Sequence, residues 1–221
     1  WKINNMRALF LCLLLVPALT VFSQFEKYQE GYLVLVTGDT IRGQLSWKKN
    51  STPSDKVNFK KHELDHPQVY TWALIAEILD KDKQQEMMVV NVKRNLEYIR
   101  DLDYTIMLKD STAEGPVPLR PLYRGKKLSL YTLYDKSSFF FVYDGNQVKQ
   151  LAQKYRYLTS NERMFDYENG RRFHITDEFK GVLAAYYDFS DDRKMRFLLA
   201  NTLFEDRSMK VLISKMDSKM W

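Results

Sequence analysis

The chain has 221 residues, with 34 Lys and Arg against 28 Asp and Glu, giving a formal charge of +6. Basic and acidic residues are interspersed rather than blocked, so the charge marks no polyanion-binding surface and no nucleic-acid partner is expected. A single cysteine, Cys12, excludes a disulfide framework.

The N-terminus reads as a secretory signal over residues 1–23. Met6-Arg7 is a short basic region, residues 8–16 are apolar, Pro17 breaks the run, and Val21-Phe22-Ser23 precedes cleavage before Gln24. The apolar run is short for a transmembrane anchor and is soon followed by Gln24, Glu26 and Lys27, so cleavage is the expectation and an uncleaved N-terminal anchor the competing reading. Cleavage removes Lys2, Arg7 and Cys12, leaving 198 residues, no cysteine and a formal charge of +4. The expected location is the periplasm or outer envelope, with the extracellular space as the alternative, and no transmembrane span is expected after cleavage. A domain without disulfides must be stabilised by its core, and about 200 residues suffice for one.

Residues 31–45, GYLVLVTGDTIRGQL, read as a β-hairpin. Leu33 and Leu35 alternate with Val34 and Val36, Gly38-Asp39 turns the chain, and residues 40–45 run back. Residues 48–56 are polar and read as a loop, 57–60 as a strand and 62–67 as a turn. The apolar run 69–79 is helix or strand, because short runs do not settle that by periodicity. Residues 80–85 form a charged turn, 87–92 and 104–108 strands, and 110–118, with two prolines, a loop. Short strands at 119–123, 128–134, 139–143 and 147–151, separated by tight turns, predict an antiparallel meander. The strand Phe139-Phe140-Phe141-Val142-Tyr143 is apolar on both faces, so it should be central and covered on both sides.

From residue 155 the pattern changes. Residues 155–175 are polar and aromatic, a connector. Beyond it, Phe179, Val182, Leu183 and Tyr186 follow helical spacing, with Thr176 as expected N-cap. Met195, Leu198, Leu199 and Thr202 repeat the spacing, as do Met209, Leu212, Ile213 and Met216. The expected fold class is α+β: a β-rich domain over 24–154, mostly antiparallel sheet or open barrel, and a three-helix unit over 176–221.

The pattern Gly31-Tyr-Leu-Val-Leu…Gly38-Asp39-Thr40-Ile41-Arg42-Gly43, behind a signal ending before Gln24, resembles a group of uncharacterised secreted Bacteroidota-type proteins. The later Gly125…Leu130-Tyr131 is similar to a second feature of that group. The resemblance implies export and a β-rich body. It brings no activity and no catalytic residue.

One catalytic motif stands out. His62-Glu63-Leu64-Asp65-His66 is an H-E-x-x-H, which on a helix places His62 and His66 on one face to hold zinc while Glu63 polarises a bound water. Pro67 stops any such helix, Lys60, Lys61 and Asp65 place charge where it would be buried, and the third ligand would be Glu77 or Glu86. A polar turn is the competing reading. His174 has no nucleophile partner, Ser111, Ser129, Ser137 and Ser160 stand in no nucleophile elbow, and Asp101 with Asp103 reads as a solvated turn. Tyrosines interleaved with basic residues over 155–173 nominate Tyr155, Tyr157, Phe165 and Tyr167 as ligand-binding aromatics for a glycan or peptide. The expectation is a non-enzymatic binding or structural module of the envelope, with no cofactor and an unknown ligand or protein partner. The alternative is a zinc-dependent hydrolase acting through residues 62–66.

Overall fold

A computed structural model of the chain describes residues 27–47, 56–81, 85–95, 112–135, 137–157 and 173–220. The predicted signal, the 104–108 strand and nearly all of the 48–56 loop lie outside these. The fold is α+β, with a ten-stranded antiparallel sheet preceding three C-terminal helices. Across the sheet, all but one pair of neighbouring strands are also neighbours in sequence.

The opening hairpin pairs β1 (Gln29–Leu35) with β2 (Thr40–Ser46). Its turn is held by Leu35 N–H donating to the Asp39 carbonyl at 2.8 Å, and Gly38 takes a φ of 92° that other residues rarely adopt. Gly31 and Gly43 face each other in register. A Cβ on Gly31 would lie 2.1 Å from the Leu79 carbonyl oxygen, and one on Gly43 would lie 2.2 Å from that of Lys60. Gly31 and Gly43 are therefore places where strands approach too closely for a side chain.

Strands β3 (Lys56–Lys60) and β4 (Gln68–Thr71) extend the sheet beyond β2. The ambiguous 69–79 run divides into β4, a single 3-10 turn at Trp72–Leu74 and β5 (Ile75–Asp80), which returns to pair with β1. Leu33, Leu45, Val57, Phe59, Trp72, Ile75 and Ile78 bury against one another and form the first core.

Strand β6 (Gln85–Asn95) pairs with β5 on one side and with β7 (Thr112–Tyr123) on the other. The predicted loop at 110–118 is thus incorrect over its described part, because Pro116 and Pro118 sit in β7 opposite Asn91 and Val89. Two residues apart, both prolines lack an N–H on the same side of the strand. Strand β8 (Ser129–Asp135) pairs with β7 only from Arg120 onward, so beside the prolines β8 asks for no such donor.

Strands β9 (Ser137–Tyr143) and β10 (Val148–Leu151) complete the predicted meander. Strand β9 is covered on both faces, as its unbroken apolar run requires. Phe139 and Phe141 join Val92, Val117, Leu119, Tyr131 and Leu133 in a second core, onto which Met88 and Val90 of β6 and Val148 of β10 pack. Phe140 and Val142 point the other way, into a third core shared with the helices.

The three helices are α1 (Glu178–Ala184), α2 (Arg193–Ala200) and α3 (Asp206–Lys219). Phe179, Leu183, Met195, Met209, Leu212, Ile213 and Met216 fill the third core, at the spacing read from the sequence. The expected cap is displaced by one residue: Asp177, not Thr176, is the N-cap of α1. Thr176 ends β12 (Phe173–Thr176), paired with Lys154 of β11 (Lys154–Tyr157), and so belongs to a strand. The ends of the expected 155–175 connector thus meet as a two-stranded ribbon. Pairing between segments this far apart in sequence has no local signature.

Candidate functional site

The HELDH segment forms the turn between β3 and β4. His62 N–H donates to the Asp65 carboxylate at 2.8 Å, Asp65 N–H returns to the His62 carbonyl at 3.1 Å, and His62, Glu63 and His66 are exposed. Leu64, which a zinc helix would bury, is 97% exposed. With no helix, the two histidines share no helical face, and the geometry on which the zinc reading depends is missing. Among the described residues, no group of three or more His, Cys, Asp or Glu is placed to hold a metal.

The structure instead brings together the two glutamates that had been considered as third ligands. Tyr32 of β1 is opposite Leu79 of β5, which is opposite Glu86 of β6, while Val34, Glu77 and Met88 form the next row. Tyr32, Glu77 and Glu86 therefore occupy one face, and the two carboxyls are diagonal neighbours on adjacent strands. Two like charges this close repel, so the pair is stabilised by holding one proton between its members. The Glu77 carboxyl is hydrogen-bonded to that of Glu86 and, with burial adding to the effect, titrates at about 7. The same bond, with the Arg124 guanidinium, holds Glu86 below its ordinary range against the opposing effect of burial.

Arg124, in the turn after β7, donates to the Glu86 Oε2 at 2.5 Å and to the Glu86 carbonyl at 3.1 Å. The Tyr32 hydroxyl donates to the Glu86 Oε1 at 3.2 Å, and burial followed by the Glu86 charge pushes that phenol up. Tyr131, 7% exposed, is raised chiefly by burial and feels the charges of Arg124, Glu86 and Glu77. Its ring meets Tyr143 edge-on at 6.5 Å.

The location follows from how β6 is shared. Met87 and Val89 face the first core, while Met88, Val90 and Val92 face the second. The sheet thus curls one way over β1–β5 and the opposite way over β6–β10. The glutamate pair sits where the outer face of the first curl runs into the inner face of the second. Below about pH 7 it presents a carboxyl donor, a carboxylate acceptor and a guanidinium, beside aromatic rings.

Sequence reading missed this grouping because its members come from four separate stretches, and only strand register makes them neighbours. The one available signal was a charged residue at Glu77, inside an otherwise apolar run. The other nominated residues that the structure describes lie on other elements. Tyr155 and Tyr157 lie on β11, where their backbone pairs with Ile175 and Phe173, and His174 lies on β12 opposite Arg156. Phe165, Tyr167, Asp101, Asp103, Ser111 and Ser160 fall outside the described residues. Ser129 accepts a hydrogen bond from Gly125 N–H at 3.2 Å, and Ser137 begins β9. No helix among the described residues is long and apolar enough to cross a membrane. Compared with known proteins, the chain matches no family model, no curated protein and no solved structure.

Proposed function

We propose that this chain is an exported protein of the periplasm or outer envelope, related to the secreted Bacteroidota-type group, and acts there as a non-enzymatic binding module. Export is supported by the signal pattern over residues 1–23. The recognition surface in this reading is the face carrying Tyr32, Glu77, Glu86 and Arg124. A single observation carries the choice: two hydrogen-bonded carboxyls, a guanidinium and a phenol converge, half-exposed, beside the buried Tyr131 ring. The Glu86 and Arg124 charges offset each other, which favours a neutral ligand rich in hydroxyls over a charged one. A saccharide fits that chemistry, since its hydroxyls both donate and accept and its C–H face packs on tyrosine.

The test is calorimetric titration of the purified chain with a panel of neutral oligosaccharides, and separately with peptides. The reading expects saturable saccharide binding, weakened at least tenfold in Glu86→Gln and Arg124→Gln, the range for loss of one charged hydrogen bond. Binding to peptides alone, or saccharide affinity equal in the wild type and both variants, overturns it. Cell fractionation with N-terminal sequencing checks export and cleavage before Gln24. Retention in the cytoplasm overturns that half.

A further inference from the structure

Arg124 is a half-exposed side chain at the end of a loop, yet it is aimed at Glu86 through two hydrogen bonds. What fixes the loop is a carboxylate on a distant element. Asp217 of α3 is 4% exposed and faces residues 123–128 directly. Its Oδ1 accepts the backbone N–H groups of Lys127 and Leu128, both at 2.8 Å. Its Oδ2 accepts Lys126 N–H at 3.2 Å and the Tyr123 hydroxyl at 3.0 Å. Burial pushes this carboxyl up, but the bonds from Lys127, Leu128, Tyr123 and Lys126 outweigh it and hold the group below its ordinary value. Gly125 lies so close that a Cβ there would fall 2.5 Å from the carboxylate. The glycine of the second family feature is therefore what lets the loop close over Asp217.

We infer that Asp217 is a positioning residue for the Tyr32–Glu77–Glu86–Arg124 site: it locks the 123–128 loop and, through it, sets the guanidinium against Glu86. The inference rests on that site being the recognition surface. The coupling itself is independent of any ligand. Three donated backbone N–H groups leave the loop little freedom, and Arg124 lies within it, between Tyr123 and Lys126 that both donate to Asp217. The C-terminal helix thereby sets the charge state of a carboxyl pair on the far side of β7. The groups that face the pair are Tyr32 from β1, Arg124 from the turn and Tyr131 from β8.

The experiment is a carbon-13 carboxyl NMR titration of Glu77 in the ligand-free full chain, with thermal melts alongside. Arg124→Gln should move the Glu77 titration upward by about one pH unit, since an opposite charge at this range lowers a carboxyl by one unit or more. Asp217→Asn should move it in the same direction by at least half as much. Removing the Asp217 charge acts directly in the opposite sense, so an upward shift reports displacement of Arg124. A purely structural Asp217 would lower the melting temperature and leave Glu77 where it was. A folded Asp217→Asn with an unmoved or lowered Glu77 overturns the inference, as does an Arg124→Gln that leaves Glu77 unchanged. Should Asp217→Asn fail to fold, Tyr123→Phe removes one bond to the same oxygen and decides. A smaller upward shift supports the coupling, and none overturns it. Failure of saccharide binding with these shifts intact would refute the recognition reading and leave the coupling standing.

Discussion

Strands β1–β5 wrap a core on one face and leave Tyr32, Val34 and Glu77 half-exposed on the other, whereas β8 and β9 are buried on both faces. The helices make the difference. They cover the outer face of the second curl with Phe179, Leu183, Met209 and Leu212, so Phe140 and Val142 of β9 point into apolar contacts. Nothing comparable among the described residues overlies the outer face of the first curl, and polar groups gather there. A polar face persists on a sheet where one side is left uncovered, and the carboxyl pair lies at the edge of the covered region.

The sharpest way to break the contrast is Phe140→Ala. Phe140 is fully buried and meets Phe204 edge-on at 4.8 Å, so removing its ring should cost about 3–5 kcal/mol in chemical denaturation. A loss below about 1 kcal/mol would mean that the helices are not docked on β9. In the first curl the comparable lesion is steric. Gly43→Ala places a methyl against the Lys60 carbonyl and the Phe59 ring, with an expected cost of about 1–3 kcal/mol. A neutral result would show that β2 and β3 are further apart than their register implies.

The uncovered face should reveal itself through pH. Glu77 titrates at about 7 in the folded chain against 4.5 as a free side chain, so the folded state keeps a proton that the unfolded state has released. Stability from this group is complete below pH 4.5 and is lost as pH rises through 7. Glu86 acts in the opposite sense, its contribution disappearing only on acidification below the ordinary carboxylate range. Urea midpoints taken between pH 5 and 8 should therefore decline in the wild type, by about 1 kcal/mol after solvent screening. Glu77→Gln should flatten the decline, and an unchanged slope would place the proton elsewhere. The smallest effect belongs to the β3–β4 turn. His66→Ala removes an exposed side chain and should change stability by less than about 0.5 kcal/mol, with equal zinc content in the variant and the wild type. A drop in bound zinc would restore the metal reading of the HELDH segment.

Local chemistry made much of this molecule readable. Leu33 and Leu35 alternating before Gly38 specify a hairpin, the unbroken Phe139–Val142 run specifies a strand buried on both sides, and Met209, Leu212, Ile213 and Met216 specify one helical face. Each of these signals lies within one element. What escaped depends on register between elements. Pro116 and Pro118 look like loop residues until β6 is seen to pair along one edge of their strand. Thr176 looks like a cap until Lys154 claims it for a ladder. Glu77 and Glu86 sit nine residues apart with no periodicity linking them, and only the β5–β6 pairing makes them diagonal neighbours.

Strand β6 has a consequence for how the chain folds. Its odd-numbered Met87 and Val89 serve one core and its even-numbered Met88, Val90 and Val92 serve another. A slip of one residue would send every one of these side chains to the wrong core at once, so the two curls proofread each other's register. Because one strand serves both cores, unfolding of the sheet should be a single cooperative event in which both cores open together.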